Sequence, residues 1–517
     1  MIKSQIRNGC VILRKLAFLK NAMLLTITSL ILRSLGMVFR IYISRMVGEE
    51  GMGLYQLISS VYFLMITFAQ SGISVSMTKL VTEKLALGDN QKVKSLLKGA
   101  VLLSLTIGIT VMLVLFFGAP LIANMWIGDA RAVLPLRILS VSLPFMAVCS
   151  VFSGYFVARR NVVHNCVSQM LEQVTRMAVV FMLATLISNG DITTLLAAVV
   201  AGNTVSEFFA MCYSGISFAL DKRRAGINGR IAHSSIGPIV KTAAPIAASR
   251  YLATALHTAE NMLVPTTIAR YTGSRESALS QFGALKGMAL PILFFPSSFL
   301  NALSTLLVPE VTSANAKKQN ATTKSIVDRA CAVTLTLSIM IGGVFTMFAH
   351  QIGLIVYGSS QVGFMISVLA PITPFMYMDT IADGMLKGLN KQTGALKHSS
   401  IDSAIRIVLI IALVPFYGIR GFLFVMIVSN ILISSLNMHL LFKSAGTSMR
   451  WGGWVVKPVL CTVIATIATR LMIPSANSLI TVALGAVLWC AIYGITLAVL
   501  RFDCVLSFIK KYLIKNK

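Results

Sequence analysis

The sequence predicts an all-α polytopic membrane protein of about fourteen transmembrane helices, and three observations lead there. Hydrophobic residues make up 56% of the 517 positions and charged residues only 12%, with a mean hydropathy of +0.81. A soluble domain carries about 25% charged residues. Apolar runs such as "AVLLSLTIGITVMLVLFFGAPLI" and "LITVALGAVLWCAIYGITLAVL" recur almost end to end, and about 20 apolar residues suffice for a helix to cross a bilayer. The third observation is how the basic residues are distributed. With the spans numbered from the N-terminus, the N-terminal segment and every loop after an even-numbered span hold 32 of the 45 Lys and Arg. The opposite loops hold 7, and 6 lie within spans. Excess Lys and Arg mark the cytoplasmic face, so both termini are expected inside. A net charge of +28 that alternates loop by loop is not the single basic patch that nucleic acid requires.

The apolar runs begin near residues 22, 54, 96, 134, 164, 192, 238, 279, 327, 361, 398, 419, 455 and 477. They define a cytosolic tail (1–21), a first lobe (22–220, spans one to six) and a cytoplasmic linker (221–237). A second lobe (238–442, spans seven to twelve), two further spans (443–500) and a cytosolic tail (501–517) follow. The basic N-terminus precedes no small-residue cleavage site and reads as a tail before an uncleaved helix. "KLVTEKLALGDNQKVKSLLKGA" reads as an amphipathic interfacial helix between spans two and three. The eight Cys residues form no CxxC spacing and read as small packing residues, not a zinc or disulfide framework. Pro245, Pro265, Pro291, Pro296 and Pro374 interrupt or kink spans seven, eight and ten.

The halves echo one another. "PFM" at 144–146 recurs at 374–376, an offset of 230 that Gly154/Gly384, Glu172/Asp402 and Arg176/Arg406 share. Arg45, Gly48 and Gln56 match Arg270, Gly273 and Gln281 at 225, and Asn203 matches Asn430 at 227. Six is even, so both lobes insert in the same orientation. Such parallel repeats are related by a pseudo-twofold axis along the membrane normal, and transport sites lie where repeats meet. The last two spans have no counterpart.

Two six-helix lobes plus two helices resemble the multidrug/oligosaccharidyl-lipid/polysaccharide (MOP) flippase superfamily. The stretch "RSLGMVFRIYISRMVGEEGMGLYQLISSVYFLMITFAQSGISVSMTKLVTE" is similar to the opening of the stage V sporulation protein B group, relatives of the lipid II flippases. The resemblance implies that spans one and seven line a cleft between lobes and that arginines there hold a lipid pyrophosphate. The matching positions are Arg33, Arg40 and Arg250. A planar guanidinium suits that ligand because its fork bonds two oxygens at once. Spacing alone adds His257 and Lys286 to this expected anion site. Pairing of these bases with acids on other helices, such as Glu207 or Glu260, is the alternative.

Glu172 and Arg176, like Asp402 and Arg406, stand one helical turn apart, so each acid can neutralise its own base. These duplicated pairs are expected to be structural. Asp379 and Asp383 in span ten, with no base read beside them and Cys149 and Ser153 at the matching positions, form a candidate coupling-ion site for Na⁺ or H⁺. Membrane potential is a third source of coupling. No cofactor is expected. Neither a Walker A loop nor HExxH occurs, and no grouped nucleophile and base is found, so the chain reads as not an enzyme.

The expected activity is alternating-access flipping of a polyprenyl-pyrophosphate-linked oligosaccharide, such as lipid II or a related cell-wall or spore-cortex precursor. The site would be the bacterial cytoplasmic membrane. Partners would be that glycan, membrane lipids and cell-wall synthesis enzymes, not nucleic acid. A cation-coupled multidrug exporter of the same superfamily and a non-transporting scaffold for wall synthesis stand as alternatives.

Overall fold

In hydrocarbon a backbone must satisfy its own hydrogen bonds, which leaves helices as the economical solution for a chain this apolar. The computed structural model describes residues 2–70, 72–187, 191–224, 236–473 and 478–500, and among them the chain is helix and turn throughout. The expected C-terminal tail (501–517) and positions 225–235 of the expected linker lie outside the described residues.

Helix α1 (Ile2–Gln70) carries the first two spans, broken at Gly48 (φ 72°, ψ −176°), and α2 (Ile73–Ala86) completes the second. Span three is α3 (Asn90–Leu121), and span four is α4 (Val133–Ser140) with α5 (Leu143–Ala158), bent by 41°. Spans five, six and seven are α6 (Val163–Leu186), α7 (Ile192–Arg224) and α8 (Gly237–Thr272). Span eight is broken into α9 (Arg275–Phe282), α10 (Leu290–Phe294) and α11 (Ser297–Ala316). Helix α12 (Asn320–Tyr357) is span nine, and α13 (Ser360–Leu369) with α14 (Thr373–Gly388) is span ten. Helix α15 (Gln392–Ala445) holds spans eleven and twelve, broken at Gly418 (φ 56°), before α16 (Lys457–Met472) and α17 (Leu479–Val499). The fourteen expected spans are all accounted for by helices.

Only some of these are apolar enough to cross a membrane on length and composition alone: eight helical stretches among the described residues, two of which hold two spans each. The segments that fall short are α6, α8 and the α9–α11 group. They carry Glu172 and Arg176, then Arg250, His257 and Glu260, then Lys286. Elsewhere apolar faces stay exposed for lipid, as with Leu102, Leu105, Ile109 and Leu113 at three- and four-residue spacing on α3.

The sequence repeat reappears as backbone geometry. Left-handed residues fall in register at Gly48 and Gly273, Gly88 and Lys318, Gly128 and Gly358, and Arg160 and Asn390. The helix caps Asp129 and Ser359, again 230 apart, each accept from a backbone N–H just beyond. Close packing repeats as well. A Cβ on Gly154 would stand 2.6 Å from the Ser74 carbonyl oxygen, and one on Gly384 would stand 1.8 Å from Ser304 Oγ. Ser74 and Ser304 share the offset of their glycines.

By packing, the chain forms two compact units. One comprises Met1–Val47 and Leu54–Met262, the other Gly48–Gly53 and Leu263–Lys517. One boundary therefore falls inside α8, and the short stretch 48–53 packs with the second unit. Glu49 accepts a hydrogen bond there from Ser280 Oγ at 2.8 Å and another from Ser359 Oγ. The two extra spans dock on α12, where Trp489 lies over Gly343 and donates to Thr466 Oγ1 at 3.1 Å. Tyr493 donates to the Thr336 carbonyl at 2.9 Å.

Two expectations change. The stretch around "KLALGDNQKV" is not a separate interfacial helix. Lys79–Ala86 finish α2, residues 87–89 turn, and α3 begins at Asn90, capped by Asp89 accepting from the Lys92 N–H at 3.0 Å. The amphipathic pattern belongs to two helix ends emerging at a polar surface. Pro291, Pro296 and Pro374 stand at helix starts rather than within kinked helices, while α8 runs through Pro245 and Pro265.

Adding one methyl where backbone already sits should force α2 and α5 apart. Gly154→Ala is expected to destabilise by about 1–3 kcal/mol, the usual range for overpacking, read as a lowered thermal unfolding midpoint in detergent. Gly36→Ala, where a Cβ meets nothing within 4 Å, should leave the midpoint unchanged or raised.

Candidate functional site: a cationic cavity and three polar clusters

Within the first unit α8 is stitched to the second-span part of α1. Thr258 Oγ1 donates to the Ser60 carbonyl at 3.3 Å, Asn261 Nδ2 to Ser60 Oγ at 3.0 Å, and Tyr251 OH to the Phe68 carbonyl at 3.4 Å. Thr67 Oγ1 donates to Thr254 Oγ1 at 3.3 Å. The chain then turns at Gly72 (φ +77°), where a Cβ would stand 2.6 Å from the Ala243 carbonyl oxygen, and α2 leads away. The divergence of α1, α2, α5 and α8 leaves a cavity of about 440 Å³ lined by Ile66, Thr67, Gln70, Ser74, Ser150, Arg250, Ala253 and Thr254.

Arg250 is the one charged group in that lining, and among the described residues no acid pairs with it. Around it stand four hydroxyls and a carboxamide; Thr67 and Ser150 already donate to the Phe63 and Ala147 carbonyls, so Ser74, Thr254 and Gln70 are the donors that can turn to a ligand. This chemistry receives anionic, oxygen-rich groups. The lining hydroxyls and Gln70 escaped sequence reasoning because single uncharged polar residues in a span give no signal.

The other expected anion-site residues are not gathered there. Arg33 is exposed and Arg40 half-buried on the first span, in the same unit but outside the cavity lining. The His257 Nδ1 lies 3.2 Å from Asn261 Nδ2, one turn along α8. Lys286 belongs to the second unit, with its ammonium 5.7 Å from the centre of the Phe422 ring, a cation–π contact.

The second cluster corrects an expectation. Asp383 does have a base beside it: Lys387 Nζ is 2.5 Å from Asp383 Oδ2, four residues on. The signal was in the sequence, since i and i+4 residues meet on a helix. Asp379 is held differently. Asn437 Nδ2 donates to Asp379 Oδ1 at 2.8 Å, while the Asn437 carbonyl lies 2.8 Å from His398 Nδ1. The buried Asn437 thereby links a carboxylate to an imidazole across three helical segments.

The third cluster is the duplicated ion pair. Arg176 Nη2 bonds Glu172 on α6, and Arg406 Nη2 lies 2.5 Å from Asp402 Oδ2 on α15, both as the spacing requires. Glu207 on α7 was offered as a partner for the arginines of spans one and seven. It is buried, at 5% exposure, with Glu172 and Arg176 of α6 as its charged neighbours.

Two repeated helical units and apolar helices long enough to cross a membrane define a multi-span membrane protein. The profile of the family described as "Polysaccharide biosynthesis protein" matches residues 18–314, and the chain belongs to that family. It is 26% identical over 504 residues to the stage V sporulation protein B of Bacillus subtilis (strain 168), covering 94% of this chain and 96% of that protein. Its fold matches a lipid II flippase MurJ in an inward closed conformation, with a TM-score of 0.72 and 14% identity over 93% of this chain and 100% of the other. It also matches an inward-facing multidrug resistance MATE family transporter of the MOP superfamily, with a TM-score of 0.66 and 12% identity over 81% and 96%.

Asp402 is 3% exposed, so its charge depends on Arg406. Arg406→Ala should cost about 3–5 kcal/mol, the price of a buried unpaired charge, seen as loss of monodisperse folded protein. Asp402→Asn combined with Arg406→Gln should recover most of it. Equal losses in the single and double variants would contradict a structural pair.

Proposed function

We propose that this protein flips a polyprenyl-pyrophosphate-linked oligosaccharide across the bacterial cytoplasmic membrane by alternating access, with both termini cytoplasmic. The cavity around Arg250 carries this reading. A pyrophosphate head group brings negative charge and several acceptor oxygens, and the lining offers the Arg250 guanidinium, the Ser74 and Thr254 hydroxyls and the Gln70 amide to receive them. A multidrug exporter that takes cationic drugs needs carboxylates facing its cargo. The lining contains none, so the observation favours the flippase among the two.

The kinship with stage V sporulation protein B and the MurJ fold supports a lipid-linked precursor as cargo. Lipid II and a spore-cortex precursor both fit, with membrane lipids and cell-wall synthesis enzymes as partners. Arg33, Arg40, His257 and Lys286 serve in this reading as further cationic contacts along the cargo's route. Coupling draws on Na⁺, H⁺ or the membrane potential. An inside-negative potential favours outward movement of negative charge by about 2.3 kcal/mol per charge per 100 mV. Asp379, with its Asn437 partner, is the candidate coupling site in the second unit, and Asp383 is balanced by Lys387.

The test is expression in cells depleted of their lipid II flippase, reading labelled precursor in the outer leaflet. Removing one guanidinium removes one or two charge-assisted bonds worth about 1.5–3 kcal/mol each. Arg250→Ala should therefore lower outer-leaflet precursor by about 10- to 100-fold with membrane insertion unchanged. Arg250→Lys should restore it only in part, because a point charge lacks the forked contact. Undiminished precursor in Arg250→Ala, Arg33→Ala and Arg40→Ala alike would remove the cargo site from these arginines and favour the multidrug reading.

A further inference from the structure

The crossing of spans ten, eleven and twelve differs from its counterpart in the first unit by an acid and a base. At the repeat offset of 230, Asp379 stands where the first unit has Cys149, and His398 where it has Ser168. In the first unit Ser168 Oγ meets Ser214 Oγ of α7 at 3.1 Å, one hydroxyl against another. In the second, a single amide joins the two titratable groups. Asn437 Nδ2 donates to Asp379 Oδ1 at 2.8 Å, and Asn437 Oδ1 lies 2.8 Å from His398 Nδ1. Asn437 is 4% exposed and His398 is half-buried.

An amide carbonyl oxygen only accepts, so His398 Nδ1 carries the hydrogen of the bond it makes with Asn437. A second proton on that ring sits on Nε2 and makes an imidazolium. Its charge then balances the Asp379 carboxylate through the amide. The reverse arrangement is equally complete. A protonated Asp379 donates its O–H to the amide carbonyl, the amide NH₂ turns to His398, and Nδ1 accepts as the bare nitrogen of a neutral ring. Both arrangements satisfy the buried amide and leave the cluster uncharged, which burial requires. Neighbouring charges are engaged elsewhere or stand outside. Asp383 is paired with Lys387, Asp402 with Arg406, and Asp328 of α12 with Arg450. Lys391, Lys397, His439 and Lys443 on α15, Glu310 on α11, and Lys324 and Arg329 on α12 are exposed.

We infer that Asp379, Asn437 and His398 form a proton-exchange site in the second unit, with two states related by a turn of the Asn437 amide. In one state His398 holds two protons and Asp379 none. In the other Asp379 holds one, and His398 keeps one on Nε2. Between them the Nδ1 proton leaves the imidazole as a proton joins the carboxyl group, so the total is unchanged. The amide carries no proton and transmits only orientation. The site takes protons and not Na⁺. Its use in coupling rests on the transport reading above, whereas the site itself stands on these side chains.

The experiment is solid-state NMR of the full-length protein in lipid near neutral pH, isotope-labelled at the histidine ring nitrogens. A ring nitrogen with a hydrogen and one without give different signals, and His398→Gln identifies those of His398. The wild type should show the state seen in the structure, with hydrogen on both nitrogens. Asp379→Asn and Asn437→Leu should each leave one nitrogen bare, since an imidazole without that partner is mostly neutral at pH 7. Where Asp379→Asn does not fold, Asp379→Cys, which copies Cys149, serves in its place. Asp383→Asn and added Na⁺ should change nothing. A bare Nδ1 in the wild type overturns the inference, as does a ring that keeps both hydrogens in the Asp379 and Asn437 variants. His398 signals that shift with Na⁺ at fixed pH overturn it equally, because the site would then take a sodium ion. No cargo is present, so a wild type that shows these signals but flips no precursor removes the transport reading and supports the site alone.

Discussion

A charge placed at the centre of a membrane helix costs about 2.5–3.5 kcal/mol unless something nearby offsets it, and much of this protein is arranged around that cost. Arg176 and Arg406 each hold an acid one turn away on the same helix, and Lys387 does the same for Asp383. Pairing within one helix needs no precise placement of a neighbour, so such pairs form as soon as the helix does. Asp379 is served from another segment, by Asn437, and Lys286 by the face of Phe422. These partners depend on tertiary packing, and they bind α14 to α15 and the α9–α11 region to α15 within the second unit. The charged α6, α8 and α9–α11 fall short of crossing lipid on length and composition alone, so their insertion relies on the apolar spans around them.

Arg250 is set apart from these pairs by its surroundings. It lies in a cavity walled by hydroxyls and an amide, groups that a tight apolar packing would have excluded. The cavity exists because of backbone geometry. Gly72 adopts a left-handed conformation, α2 diverges from α1, and α8 follows α1 by hydrogen bonds at Ser60, Thr67 and Phe68. The seam on one side and the turn on the other frame the cavity in which the guanidinium stands.

The fold was legible in the sequence because its causes are repetitive. Apolar run length, loop charge and the offsets of 225 to 230 each sample many residues, so they survive local exceptions. The repeated left-handed turns at Gly128 and Gly358 and at Arg160 and Asn390 show the duplication extending to the backbone. The site was legible only in its charges. Thr67, Gln70, Ser74, Ser150 and Thr254 are ordinary residues for a membrane helix, and only the path of the chain brings them together. The Lys387 partner of Asp383 was readable from the four-residue rule and stands as a correction. The amphipathic pattern after span two reflects two helix ends meeting a polar surface, which the pattern alone does not distinguish from a helix lying on it.

The same duplication shows how two copies of one scaffold diverge at little cost. A pair closed by a hydroxyl, as in Asp402, Arg406 and Ser429, is electrically complete and tolerates burial. The first unit has Gly202 in place of that serine and a buried Glu207 where the second has Ser434. The second unit shows the complementary change. Asp379 and Asp383 appear where the first has Cys149 and Ser153. One of them is immediately balanced by Lys387, leaving Asp379 on the uncharged Asn437. Because the helices and their turns are preserved between the copies, these changes alter the electrostatics of the units without altering their fold.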